Sequence, residues 1–319
     1  MRAKILFLPC TEMGESACGC AEQLLTEISA AFNHSFSLLR GRIGSDVADD
    51  EGCQVPDAVL DACQECQAVF LGDTEQDSVQ ELYDALELSL CIRSFSVPVS
   101  LRGEGGSETP LHVGAVLSLD RDTVQAAMES AFRFSQLQET RLYHIPPSGD
   151  ARKDWDGAIQ LQQVIRPQIT AHALSAQDAV RSMILTPDRL GLMVCPPYAG
   201  SILSAAGSAL TAEPAMIHEM ACDGTLGVYG APGSLCASGD GPDPLGPACA
   251  VAKLLRHSLG LHREACCLET AVANVLAAGW HTRRQDGAGI APQGMVELIC
   301  EQIAAAGELM RKNGDGPAE

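Results

Sequence analysis

Ala3-Lys4-Ile5-Leu6-Phe7-Leu8-Pro9 is an apolar run of the buried-strand type, and behind it Ser16 to Ala31 carries apolar residues at helical spacing. A strand that feeds a helix in this way implies a parallel sheet. The unit recurs: Asp57 to Gln67 has a helical pattern, Ala68-Val69-Phe70-Leu71-Gly72 is a short buried strand closed by glycine, and Ser78 to Leu88 is helical again. Alternation of this kind predicts an α/β doubly wound architecture. Further strands are expected at Leu90 to Phe95, Leu142 to Ile145, Gln168 to Ala173 and Leu190 to Cys195, with helices between them. Helical patterns at Pro247 to Leu259, Ala265 to Ala278 and Gly294 to Leu309 follow. Leu101 to Pro110 and the acidic Ser238 to Pro247 read as surface loops, Asn313 to Glu319 reads as a polar, frayed tail, and no internal repeat is visible.

The 319 residues suit one large or two medium domains, and an apolar share of 46% supplies their cores. Basic residues number 21 against 41 acidic ones, a formal charge of −20, which repels phosphate backbones and excludes nucleic acid and anionic membranes as expected partners. The apolar run at the start is too short for a secretory signal and is broken by Pro9, and no stretch approaches the roughly 20 apolar residues of a membrane span. The expected location is the cytoplasm. Fourteen scattered cysteines are accordingly expected as reduced thiols.

Cys63-Gln64-Glu65-Cys66 has metal-ligand or redox spacing, with Cys10, Cys18 and Cys20 upstream, but no second Cys-x-x-Cys completes a four-ligand site. No Walker loop or three-glycine dinucleotide fingerprint follows the first strand. Cys195 ends a strand before Pro196-Pro197, where clefts form in this fold class, which makes it the thiol candidate. Ser201 and Ser204 open a helix as caps or solvent-facing hydroxyls. The eight histidines, among them His144, His172 and His218, show no His-x-x-x-His spacing. Arg93, inside a strand, needs an anionic partner: a structural salt bridge or a ligand.

Gly200-Ser201-Ile202-Leu203-Ser204-Ala205 resembles the Gly-Asp-Ile-Leu-Ser-Asp signature of the isopropylmalate and isocitrate dehydrogenases, the β-decarboxylating dehydrogenase family. Other segments follow that family's order. Lys4 to Pro9 is similar to its first strand, Gly52 to Leu71 to its glycine, Pro-containing helix and strand, and Leu86-Glu87-Leu88-Ser89-Leu90-Cys91-Ile92-Arg93 to its substrate strand. Thr186-Pro187-Asp188-Arg189-Leu190, Gly233-Ser234, Leu255 to Gly260 and Glu269 to Leu276 complete the series. The resemblance implies a two-domain fold like isopropylmalate dehydrogenase, with residues 1–97 plus 212–319 as a discontinuous first domain and 98–211 as the second, dimer-forming one. It also implies a homodimer.

Against the family pattern this chain departs at most functional positions. Ser201 and Ala205 stand where two aspartates hold Mg²⁺ or Mn²⁺, and a third aspartate falls at Gln177, with Asp178 next to it. The cation serves the reaction by stabilising the enolate left when CO₂ departs. Tyr83 stands where the first carboxylate-gripping arginine is expected, while Arg93 keeps the second. The arm that carries the third arginine and the catalytic tyrosine is shortened or absent. Pro146-Pro147-Ser148 replaces the lysine segment, and Lys153 is the next amine. On the nucleotide side the first glycine-rich loop keeps only Gly14, the second reads Pro232-Gly233-Ser234-Leu235-Cys236, and Asp243-Pro244 resembles the family's Asn-Pro. Gly233 and Ser234 offer backbone donors for a phosphate or an adenine, or form a structural turn.

These substitutions predict a degenerate member with Mg²⁺ chemistry lost, either a non-catalytic subunit or a binder of a small anionic metabolite. The alternative is an active NAD- or NADP-dependent oxidoreductase acting on a 2-hydroxy acid held by Arg93. A further alternative is a cysteine-based redox or metal protein built on Cys10, Cys18, Cys20, Cys63 and Cys66.

Overall fold

The computed structural model describes residues 1–48, 52–72, 76–98, 108–211, 214–231, 243–282 and 289–312. In chain order the elements are β1 (Arg2–Leu8), α1 (Glu12–Phe32), β2 (Ser35–Arg40), α2 (Asp57–Glu65), β3 (Ala68–Leu71), α3 (Gln76–Ala85) and β4 (Leu90–Pro98). Then come β5 (Glu108–Val116), α4 (Arg121–Leu137), β6 (Leu142–His144), α5 (Ala151–Ile165), β7 (Ala171–Ala173), α6 (Ala176–Leu185), β8 (Leu192–Cys195) and α7 (Pro197–Leu210). The chain continues with β9 (His218–Cys222), β10 (Gly227–Gly230), α8 (Leu245–His257), α9 (His262–Ala277) and α10 (Pro292–Lys312).

Two compact units divide the chain, Met1–Ala85 with Leu226–Glu319 and Leu86–Thr225. The sequence reading put the limits at 97 and 211. The division falls elsewhere because β4 is paired along its whole length to β5 and, from Leu90 to Ser94, to β9, which ties both flanking strands to the second unit.

In the first unit β2, β1, β3 and β10 pair in that order, all parallel. Helix α1 starts where Thr11 Oγ1 accepts the Gly14 N–H at 3.1 Å, and it ends at Asn33, whose φ of 56° gives the left-handed cap. Its buried side, Ala17, Cys18, Ala21, Leu24, Leu25 and Ile28, has the i, i+3, i+4 spacing of a core stripe.

The second unit is mixed, in the order β9, β4, β5, β8, β6, β7. Strand β4 runs antiparallel to both β9 and β5, and the remaining pairs are parallel. A purely parallel sheet is therefore not what forms. Residues Glu108 to Pro110, read from sequence as loop, begin β5, and the strand expected from Gln168 is confined to Ala171–Ala173. Both faces are covered. Phe95, Leu111, Val113 and Met193 pack with Ala179 and Met183 of α6 and Ala199 and Leu203 of α7. His112, whose side chain alternates to the other face, meets Phe134 of α4 edge-on with ring centroids 5.0 Å apart.

Gly200 sets how closely α7 approaches the sheet: a Cβ there would lie 2.5 Å from the Ala115 Cβ. In the first unit a Cβ on Gly72 would lie 2.7 Å from the Gly14 Cα, so the end of β3 meets the start of α1 backbone to backbone.

Candidate functional site

Arg93 lies on β4 opposite Glu219 of β9. Its Nη2 donates to Glu219 Oε2 at 2.6 Å and its Nε to the same oxygen at 3.2 Å. The Glu219 side chain is 7% exposed and that of Arg93 36%, so the cation reaches water while its anionic partner is held inside. Of the two roles left open for Arg93, the structure gives it the ion pair. Beside it, burial first and the Glu219 carboxylate second push the Cys91 thiol up. The parity of β4 directs Arg93 to the sheet face that also carries Phe95, the face covered by α6 and α7.

Ser201 and Ala205 are one turn apart on α7, on the side opposite the buried Ala199, Gly200, Leu203 and Gly207, and both are exposed. The Ser201 hydroxyl donates to the Pro197 carbonyl at 3.3 Å, a bond within the helix. Gln177 and Asp178 lie exposed in the first turn of α6. Asp178 closes a reciprocal cap: its N–H donates to Ser175 Oγ at 3.0 Å, and Ser175 Oγ donates to Asp178 Oδ2 at 2.7 Å. Lys153 is exposed on α5.

Cys195 ends β8 as expected, but it is fully buried, its Sγ faces the Gly114 carbonyl at 3.5 Å, and burial pushes its thiol up to about 12. A reactive thiol needs access and electropositive neighbours, and Cys195 has neither feature of such a site. Arg93, Cys195 and α7 thus share one face of the second unit, while Ser201 and Ala205 point away from it.

In the first unit Tyr83 is buried in α3. Gly14 is occupied by the α1 cap and the close approach of Gly72. Asp243 is buried at the start of α8, where one carboxylate oxygen accepts the Leu245 N–H at 3.0 Å and the other accepts the Thr282 hydroxyl. Gly233 and Ser234 lie outside the described residues. Cys10, Cys18, Cys63 and Cys66 are buried and Cys20 half-buried, all as free thiols. Burial pushes Cys18 and Cys63 up to about 12 and Cys20 up to about 11, and it raises Cys66 as well. Among the described residues no group of three or more His, Cys, Asp or Glu side chains is arranged to hold a metal ion.

Two features escaped the sequence reading. Glu219 is 126 positions from Arg93, and its only signal was an acid inside the otherwise apolar strand Glu219-Met220-Ala221-Cys222. The second is a polar cluster in the first unit around Lys253 and Arg256, both buried on α8. Arg256 Nη2 donates to Glu269 Oε2 of α9 at 2.7 Å. Burial, opposed by Glu269, brings Lys253 down to about 8.

No family model matches the chain. Along nearly its whole length it is similar to curated proteins named 3-isopropylmalate dehydrogenase. The relative from Oceanobacillus iheyensis is 23% identical over 354 aligned positions, covering 95% of this chain and 96% of the relative, and that from Shouchella clausii is 23% identical with 89% and 92% covered. The crystal structure of isocitrate dehydrogenase from Methylococcus capsulatus superposes with a TM-score of 0.76 at 18% identity, covering 95% of this chain and 99% of that one. With similarity running end to end and the α/β fold shared, the chain is a relative of the isopropylmalate and isocitrate dehydrogenases, the β-decarboxylating dehydrogenases.

Proposed function

We propose that this chain keeps the scaffold of the β-decarboxylating dehydrogenases without their metal-dependent reaction and acts as a non-catalytic, self-associating subunit. One observation carries the reading: the two positions of α7 that match the family's aspartates present a hydroxyl and a methyl group on an exposed helix face. Hard divalent cations are held by several oxygen ligands, chiefly carboxylates, and here the remaining acid, Asp178, is bonded to Ser175. This donor set does not fit Mg²⁺. Arg93, engaged by Glu219, and Asp243, engaged by Leu245 and Thr282, support the same conclusion for the substrate and nucleotide positions.

Self-association is supported by α7 and its neighbour α6. Tyr198 is 58% and Ile202 63% exposed on the same outer side as Ala205, and Leu185 of α6 is 61% exposed. Helices α6 and α7 are in contact, and apolar side chains on such a surface favour a two-fold partner. A net charge of −20 argues against nucleic acid, and no described helix is long and apolar enough to cross a membrane. A cytoplasmic protein acting through its own kind is the resulting picture.

Purified protein supplied with NAD⁺ or NADP⁺, Mg²⁺ and a panel of isopropylmalate-like 2-hydroxy acids is expected to show no turnover, and robust turnover overturns the reading. Titration calorimetry with the same nucleotides separates the competing reading, since an oxidoreductase of altered chemistry requires saturable binding. Sedimentation should give a dimer that Ile202→Glu dissociates.

A further inference from the structure

Helices α9 and α10 enclose a groove of about 440 Å³ in the first unit. It is lined on the α9 side by Arg263, Cys266, Cys267, Thr270 and Asn274, and from α10 by Gln302 among small apolar residues. A volume of this order suits a small organic ligand. The cysteines of this groove differ from those of the core. Cys18, Cys63 and Cys195 are buried, whereas Cys266 is exposed. Its sulfur accepts a hydrogen bond from Arg256 Nη2 at 3.3 Å, the same nitrogen that holds Glu269. Cys267 follows it on the helix, turned by about 100°. Cys267 is half-buried and Cys266 exposed, which makes Cys266 the more accessible sulfur of the pair, and burial also raises the Cys267 thiol.

The surroundings favour an anionic reactant. Arg256 reaches Cys266 from α8 with Glu269 as the acid bonded to the same nitrogen, and Arg263 stands one turn before Cys266 at the groove. Asn274 and Gln302 add amide donors and acceptors suited to a peptide-like backbone. The family reading assigns no functional role to these residues, and this inference does not rest on it.

We propose that the α9–α10 groove is a thiol-exchange site, in which Cys266 forms a mixed disulfide with a small, carboxylate-bearing peptide disulfide whose acid group is received by Arg263. The Cys266 thiol releases its proton to solvent and its sulfur attacks one sulfur of the incoming disulfide. A new S–S bond to Cys266 forms as the old one breaks, and the departing thiolate leaves with the electron pair and takes up a proton. The disulfide itself is the oxidant, so one half is reduced while Cys266 is oxidised.

The test uses the full chain and two probes, glutathione disulfide and the neutral hydroxyethyl disulfide, with intact-mass analysis and peptide mapping over time. Cys53 is an exposed internal reference whose Sγ lies 2.8 Å from a Glu81 carboxylate oxygen. Glutathione disulfide is expected to modify Cys266 about tenfold faster than Cys53, a factor equivalent to about 1.4 kcal/mol in the barrier. Arg263→Ala, at an exposed position outside the core, should remove the preference for the charged over the neutral probe. Equal rates at Cys53 and Cys266, or no preference for the charged probe in the unaltered protein, overturn the proposal.

Discussion

Arg93 and Glu219 face each other across β4 and β9, with the Arg93 guanidinium donating twice to one carboxylate oxygen at 2.6 and 3.2 Å. Because Glu219 is nearly buried and Arg93 about one-third exposed, the two partners are not equivalent. Arg93→Ala strands a carboxylate inside the unit and should destabilise the protein by about 2 kcal/mol, below the roughly 3 to 5 of a fully enclosed pair because water already reaches the arginine. Glu219→Gln leaves a cation that can turn to solvent and should cost about 1 kcal/mol. Urea denaturation of the two variants checks the order, and equal losses would contradict it.

The seat of α7 on the sheet gives a second prediction. Gly200→Ala places a methyl group 2.5 Å from the Ala115 Cβ and should destabilise by about 1 to 3 kcal/mol through overpacking. Adding Ala115→Gly removes the clashing atom, so the double variant should be more stable than Gly200→Ala alone. A double-mutant cycle showing simple additivity would refute a direct contact.

His144 provides a pH signature. Trp155 is fully buried and its Nε1–H donates to His144 Nδ1 at 3.2 Å, which requires a neutral ring, and burial lowers the His144 pKa below its usual 6.5. A depressed folded value means that the unfolded chain binds the proton first as pH falls. The stability that His144 contributes is present above about 6.5 and is lost as pH drops from there toward the folded value. His144→Phe should flatten stability in that window, read from Trp155 emission during denaturation.

Lys253 predicts the same trend at higher pH. Burial brings its amine from 10.5 down to about 8, so between these values the unfolded chain holds more protons and stability should rise with pH. Buried thiols such as Cys195, raised to about 12, act against this from about 9 upward, because the unfolded chain ionises first. Comparing the unaltered protein with Lys253→Met cancels the thiols. The variant should lack the rise between about 8 and 10.5.

The fold was legible where one element carries its own signal. Strand β1 is apolar almost throughout, and the helix stripes of α1, α8, α9 and α10 repeat at helical spacing. Strands β2, β5, β9 and β10 were missed for definable reasons. Ser35–Arg40 has no buried residue, Gly227–Gly230 is four residues bounded by glycine, and His218–Cys222 opens on His and Glu. The direction of β4 depends on partners far along the chain, which no local pattern encodes. At the candidate site the small uncharged residues at 201 and 205 were readable directly, but the partner of Arg93 was not. Cys266 carried only a faint sign, an Arg263-x-x-Cys266 spacing that places both on one helix face.

Helix α7 divides its duties by side: glycine, alanine and leucine seat it on the sheet, while residues 201 and 205 look outward. A carboxylate at either outward position would therefore leave the seat of α7 on the sheet undisturbed, and the architecture tolerates an acid or a small side chain there alike.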